Sequence, residues 1–120
     1  MIQGVFGSEG QLFFEVELIT NDGLNLPVET LFDTGFTGFL AIHKQDLDAL
    51  NWQFVREQKM QTAQGLRVFD VYLGRVRLDE QEYEIPVYAG DELTEILLGS
   101  QWLKILPLVV NYQEGVLALG

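Results

Sequence analysis

An all-β domain carrying one or two short helices is the fold class that the sequence predicts. Three observations predict it: apolar and polar residues alternate over several short runs, turn signals separate those runs every ten residues or so, and only two segments have helical character. A barrel and a sandwich both satisfy that pattern.

Taken in order, "GVFGSEG" near the start reads as a polar turn between the first two strands; its glycines precede a strand, which separates them from a nucleotide-binding loop. In "FFEVEL", Phe14, Val16 and Leu18 alternate with Glu15 and Glu17, and Asp22-Gly23 in "TNDGLN" is a tight-turn signal. A strand, a hairpin turn and a returning strand through Leu24 to Leu31 follow. "HKQDLDAL", His43 to Leu50, reads as the first short helix, with His43 on its surface-facing first turn. "KMQTAQGLRVFDVYL" is polar and glycine-tipped in its first half and β-branched and aromatic in its second, so Gly65 is expected at the tip of an exposed β-loop. "RVRLDEQEYEIPV" is a second hairpin: Val76 and Leu78 share a face, "DEQ" turns, and Tyr83, Ile85 and Val87 return. "SQWLKIL" is the second short helix, which Ser100 is placed to cap and Pro107 ends. "LPLVVNYQEGVLAL" closes the chain as strand, turn at Glu114-Gly115, and strand.

The 120 residues make one domain, 1–120, with no linker, internal repeat or low-complexity segment. The 48% hydrophobic content and eight Phe imply a packed core despite a formal net charge of −11. Trp52 and Trp102 are read as core or interface residues. Seven basic residues against 18 acidic ones, with no Lys/Arg cluster, leave no footprint for nucleic acid or an anionic membrane surface. No apolar run is long enough to span a bilayer as a helix, and the Met1 end lacks a positive n-region. The expectation is a soluble, cytoplasmic protein that stands by itself rather than being cut from a precursor.

The absence of Cys removes thiolate chemistry and Cys-ligated zinc, and the lone His43 makes a poor metal site, so no metal or cofactor is expected. The acidic stretches "DEQE" and "GDE" lack calcium-loop spacing and read as solvated turns. "LGSQW" around Ser100 is not the Gly-x-Ser-x-Gly elbow of a serine hydrolase.

One ionisable group stands out. In "LFDTGFTGFL", Asp33 sits between an apolar strand, "VETLF", and a run that turns apolar again, "FTGFLAI". Asp-Thr-Gly can be a purely structural turn, because Asp side chains accept backbone amides and Gly frees the backbone. A carboxylate held among apolar groups, however, is partly desolvated, which favours sharing a proton with a neighbour.

"LFDTGFTGFL" followed by "ILLGSQWLKIL" resembles the retropepsin-like aspartic proteases, whose domain carries an Asp-Thr/Ser-Gly turn and a later apolar-apolar-Gly segment leading into a short helix. The order of motifs and the hairpin spacing extend the resemblance over most of the chain. It implies a closed, barrel-like acid-protease fold and an aspartic endopeptidase that cuts polypeptide substrates without a cofactor. Asp33 would be the catalytic carboxylate, Thr34 would hydrogen-bond across a subunit interface, and Gly35 would bring backbone close to water and substrate. Thr62, Ala63, Gln64 and Gly65 would form the flap tip over the cleft, while Leu97, Leu98 and Gly99 would pack against the catalytic loop. Asp22, Asp46, Asp48, Asp70, Asp79 and Asp91 all lack a following Thr/Ser-Gly, so a dyad requires two copies of the chain. Terminal segments "IQGVF" and "VLALG" are the implied interface pieces. Two chains at −11 make a dimer of −22, which low salt should weaken by self-repulsion.

Some positions depart from the family pattern. Phe36 stands where a small residue is usual, and either narrows the cleft or points into the core. Thr37, Gly38 and Ser100 stand where retroviral members carry acidic residues and an Arg, so packing or hydrogen bonds must replace that ion pair. The competing reading is a catalytically inactive peptide-binding or structural domain of the same fold.

Overall fold

The structure is a computed structural model that describes residues 1–62 and 64–120. Among the described residues eleven strands are present: β1 (Ile2–Gln3), β2 (Val5–Phe6), β3 (Leu12–Ile19), β4 (Asn25–Phe32), β5 (Leu40–His43), β6 (Gln53–Thr62), β7 (Gly65–Leu78), β8 (Gln81–Gly90), β9 (Ile96–Leu98), β10 (Leu108–Asn111) and β11 (Val116–Leu119). The helical content is slight. A 3-10 turn at Lys44–Asp46 runs into the four-residue helix α1 (Leu47–Leu50), and a second 3-10 turn covers Ser100–Lys104.

The strands form an eight-stranded sheet in the order β2-β3-β4-β9-β5-β8-β7-β6, and a further antiparallel pairing of β3 with β7 brings six of them into a ring. This agrees with the closed, barrel-like expectation in its connectivity. The ring exists because β7 is 14 residues long: its first half pairs with β6 as an exposed hairpin, while Val76 and Arg77 in its second half reach back to Leu18 and Glu17.

Period-two alternation decides which side chains fill the ring. Phe14, Val16 and Leu18 of β3 point inward, as do Val76 and Leu78 of β7 and Ile85 and Val87 of β8, all at most 3% exposed. Trp102 enters the same core fully buried.

The turns follow the sequence signals, with three differences. Gly23 (φ +94°), Gly65 (φ +101°) and Gly115 (φ +70°) each take the left-handed conformation that a side chain resists, at the three predicted tips. The β7–β8 turn is tighter than "DEQ" suggests: Asp79 (φ 54°) and Glu80 (φ 67°) make a two-residue connection, and Gln81 already belongs to β8. Two left-handed residues match the right-handed twist of the flanking strands, which is how a hairpin of this length closes. Ser100 does not cap its 3-10 turn. Gly99 occupies that position, and the Ser100 amide is drawn instead to the Phe36 carbonyl at 2.8 Å. His43 lies just ahead of its turn, where Nδ1 accepts from the Gln45 amide at 3.0 Å.

The chain ends share a separate three-stranded sheet in the order β1-β11-β10. β11 is central, with Leu117, Ala118 and Leu119 buried, so its hydrogen-bonding edges are both used within the chain. The open edges of this sheet are β1 and β10.

Candidate active site

Strand β4 delivers Asp33 to the site. β9 lies between β4, to which it is parallel, and β5, to which it is antiparallel. The ladder continues one residue beyond β4, where the Asp33 amide donates to the Leu98 carbonyl at 2.8 Å. The Asp33 backbone is therefore an extension of the sheet, and its side chain starts from a fixed point.

Beyond Asp33 the chain turns sharply. The Phe36 amide donates to the Asp33 carbonyl at 3.1 Å, and the Gly35 amide donates to Asp33 Oδ1 at 2.8 Å. This is the Asx-type turn that Asp-Thr-Gly favours. Asp33 is half-buried, and its second oxygen, Oδ2, has no hydrogen-bond partner among the described residues. One carboxylate oxygen thus holds the loop, and the other is unpartnered among the described residues.

The loop is gripped from behind by the segment after β9. The Gly99 amide donates to the Phe39 carbonyl (3.0 Å), that of Ser100 to Phe36 (2.8 Å), and that of Gln101 to Gly38 (3.3 Å). The Phe39 carbonyl also accepts from Trp102 Nε1 at 2.8 Å, and the Trp102 ring stands edge-on to Phe39 with centroids 4.9 Å apart. These bonds stand where Thr37, Gly38 and Ser100 deny the chain an ion pair. Gly99 is required by proximity rather than by its φ of −100°: a side-chain carbon there would lie 2.0 Å from the Gly38 carbonyl oxygen.

Asp33 lines a cavity of about 590 Å³ whose other walls come from the β6–β7 hairpin, the loop after β8, and β9. Of the residues singled out in the sequence, Asp33, Gly35, Phe36, Thr37, Thr62, Gln64 and Leu97 line it. Thr34 is exposed and outside it, Gly65 sits at the hairpin tip, and Leu98 and Gly99 are buried behind the loop. Ala63 lies outside the described residues. The hairpin end is braced by Thr62, whose hydroxyl donates to the Gly65 carbonyl at 2.8 Å and accepts from the Gln64 amide at 3.2 Å.

Several lining residues escaped the sequence reading. Met60, Arg67, Phe69 and Leu93 face the cavity, and so do Asp91 and Glu92 of the stretch read as a solvated turn. Spacing held part of that signal, because Arg67 and Phe69 are two apart on one strand that begins at the predicted flap tip. Arg67 Nε lies 3.4 Å from Glu92, and Lys44 Nζ lies 3.4 Å from Asp70 and 3.7 Å from Asp91. Asp70 foremost, and then Asp91, hold the Lys44 ammonium above the usual lysine value. Among the described residues no group of three or more His, Asp or Glu side chains is placed to hold a metal ion. No helix among them is long and apolar enough to cross a membrane.

No protein-family model matches the sequence, and no curated protein matches it. Solved structures do match the fold. A retropepsin-like aspartic protease from Rickettsia conorii superposes with a TM-score of 0.65 at 17% identity, over 99% of this chain and 88% of that one. EIAV protease in complex with the inhibitor HBY-793 gives 0.63 at 16% identity, over 83% and 91% of the two chains. The protease of simian foamy virus (mac) gives 0.54 at 21%, over 80% and 99%. The chain therefore has the retropepsin-like aspartic protease fold, as its two motifs imply.

Proposed function

We propose that the protein is an aspartic endopeptidase that works as a homodimer, each copy giving one Asp33. The observation that carries this reading is the Asp33 carboxylate on the cavity wall, fixed by its own backbone and one oxygen while the other is unpartnered among the described residues. Two such carboxylates facing each other across a two-fold axis cannot both ionise, so the pair holds one proton. The ionised member takes a proton from a bound water as that water attacks the scissile carbonyl. The protonated member donates toward the carbonyl oxygen.

The substrate is an extended polypeptide held as a strand between the hairpin end and the floor. An inhibitor complex in the similarly folded EIAV protease supports a cleft that takes ligands. For dimerisation, β10 is an open edge whose Val109 is 49% exposed, and Tyr112 just beyond it is 60% exposed. Unpaired backbone beside exposed apolar side chains is what a second chain can cover.

A second reading has its own observation: the bond from the Gly35 amide to Asp33 Oδ1 is what a purely structural turn would need. Asp33→Asn separates the two. Asparagine keeps the carbonyl oxygen that accepts from Gly35 but has no proton to take or give as a carboxyl does. Cleavage of a diverse peptide library is compared for both forms at high protein concentration and moderate salt, across about pH 4 to 7. We expect cuts that fall by about 10²–10⁴-fold or more in Asp33→Asn, with a wild-type rate that climbs faster than linearly in protein concentration while dimer is scarce. A wild type that is dimeric by sedimentation equilibrium and makes no cuts overturns the enzymatic reading.

A further inference from the structure

Phe36 is the residue that neither the fold nor the proposed chemistry accounts for. Its backbone is fixed at both polar groups, the amide to the Asp33 carbonyl at 3.1 Å and the carbonyl to the Ser100 amide at 2.8 Å. The ring direction is fixed as well. A side-chain carbon on Gly38 would lie 2.6 Å from Phe36 Cζ, and one on Gly99 would lie 2.6 Å from Cδ2, so the ring fills the space that these two glycines leave. On its other side Tyr88 stands edge-on at 5.8 Å between centroids, itself backed by Phe69 at 6.4 Å. Swinging the ring out would open a void against both glycines, a cost that close-packed interiors avoid. Yet Phe36 is only half-buried, and it lines the cavity together with Asp33.

From this geometry we infer that Phe36 is a specificity-determining residue: its ring takes up the volume beside Asp33 that a bulky substrate side chain would otherwise enter. The site accordingly selects Gly, Ala or Ser at the substrate position that lies against the ring. Larger residues are accommodated against the remaining apolar wall, which Phe69, Leu93 and Leu97 provide. The inference rests on the cleft assignment above, and concerns what the cleft admits rather than whether it cuts.

Its test reads binding, independently of turnover. Two extended peptides differ only in Ala or Phe at the central position, and the central amide is replaced by a non-hydrolysable methylene-amine. Their dissociation constants are measured by calorimetry on wild type and Phe36→Ala, with thermal melting and near-ultraviolet circular dichroism showing that the variant is folded. The wild type is expected to favour the Ala peptide by about 10- to 200-fold, the range set by a misfitting apolar group in a formed pocket. Phe36→Ala is expected to shrink that ratio by at least about tenfold or reverse it. An unchanged ratio in the folded variant overturns the inference alone. Absence of binding by either form overturns it together with the cleft assignment, whereas the expected ratio change in a protein that never cuts leaves it standing and removes only catalysis. Should Phe36→Ala fail to fold, Phe36→Leu decides by the same ratio, with an intermediate shift expected.

Discussion

The two walls of the cavity are built in opposite ways. The floor, from Asp33 to Phe39 together with β9 and Trp102, is tied by backbone hydrogen bonds at every turn and packed so closely that Gly99 tolerates no side chain. The facing wall, the β6–β7 hairpin that would serve as the lid, pairs only with itself near its tip among the described residues. Along β6 every residue from Gln53 to Glu57 is exposed, and Leu66 and Val68 across from it are 57% and 53% exposed. A reacting carboxylate must be held to within a fraction of an ångström, while a substrate must get in. Close packing is concentrated where the chemistry is proposed, and the exposed hairpin lies where the proposed substrate would enter.

Gly99→Ala tests the floor most severely. Its methyl group would press on the Gly38 carbonyl oxygen at 2.0 Å and on the Phe36 carbonyl oxygen at 2.7 Å, both backbone atoms that cannot rotate aside. Relief requires parting the strand end from the loop, which breaks the bonds at Gly99, Ser100 and Gln101 together. We expect a loss of at least about 3 kcal/mol, at the upper end for a single substitution, and a fall in Tm on the order of 10 °C. Thermal melting checks it, and a shift within a degree or two of wild type would mean that the floor yields more than its packing implies.

Trp102→Phe is the milder test of the same wall. It removes the bond from Nε1 to the Phe39 carbonyl but leaves that carbonyl its bond from the Gly99 amide, so no buried acceptor is orphaned. The lost bond and the smaller ring, against Phe39 at 4.9 Å and Tyr83 at 5.0 Å, together cost about 1–3 kcal/mol. Urea unfolding should show a lower midpoint with an unchanged slope.

How far the sequence reveals each wall follows the same division. The floor is written in local signals, Asp-Thr-Gly after an apolar strand and Leu97-Leu98-Gly99 before a short helix, and the core beneath it in the alternation that places Phe14, Val16 and Leu18 inside. What it hides there is long-range. Nothing near Trp102 says that its indole reaches Phe39, 63 residues away, and nothing near Phe36 says that its ring lies on Gly38 and Gly99. The lid's tip is legible in Gly65, but its inner face is not, since Arg67 and Glu92 are 25 residues apart and meet only because the β7–β8 register carries on to Asp70 and Ala89, well beyond the turn that the sequence shows. Likewise "VLALG" reads as a closing strand and an implied interface piece, and its place at the centre of the β1-β11-β10 sheet comes only from the pairing with β1 at the other end of the chain.

The smallest effect is expected where lid meets floor. Lys44, in the 3-10 turn after β5, reaches Asp70 on β7 and Asp91 after β8, and these carboxylates raise its ammonium above the usual lysine value. A lysine raised in the folded state lends stability that is complete below its unfolded pKa of 10.5 and fades as pH rises through the higher folded value. Wild type and Lys44→Gln should therefore keep a constant difference in Tm from neutral pH to about pH 10, and the difference should close above that. The partners are exposed enough for water and salt to screen them, so the constant difference should be close to the limit of measurement and should vanish at about 1 M salt. A deficit as large as that of Trp102→Phe would show the lid root to be anchored as firmly as the floor, and the division between the two walls would then fall at the hairpin tip instead of at its base.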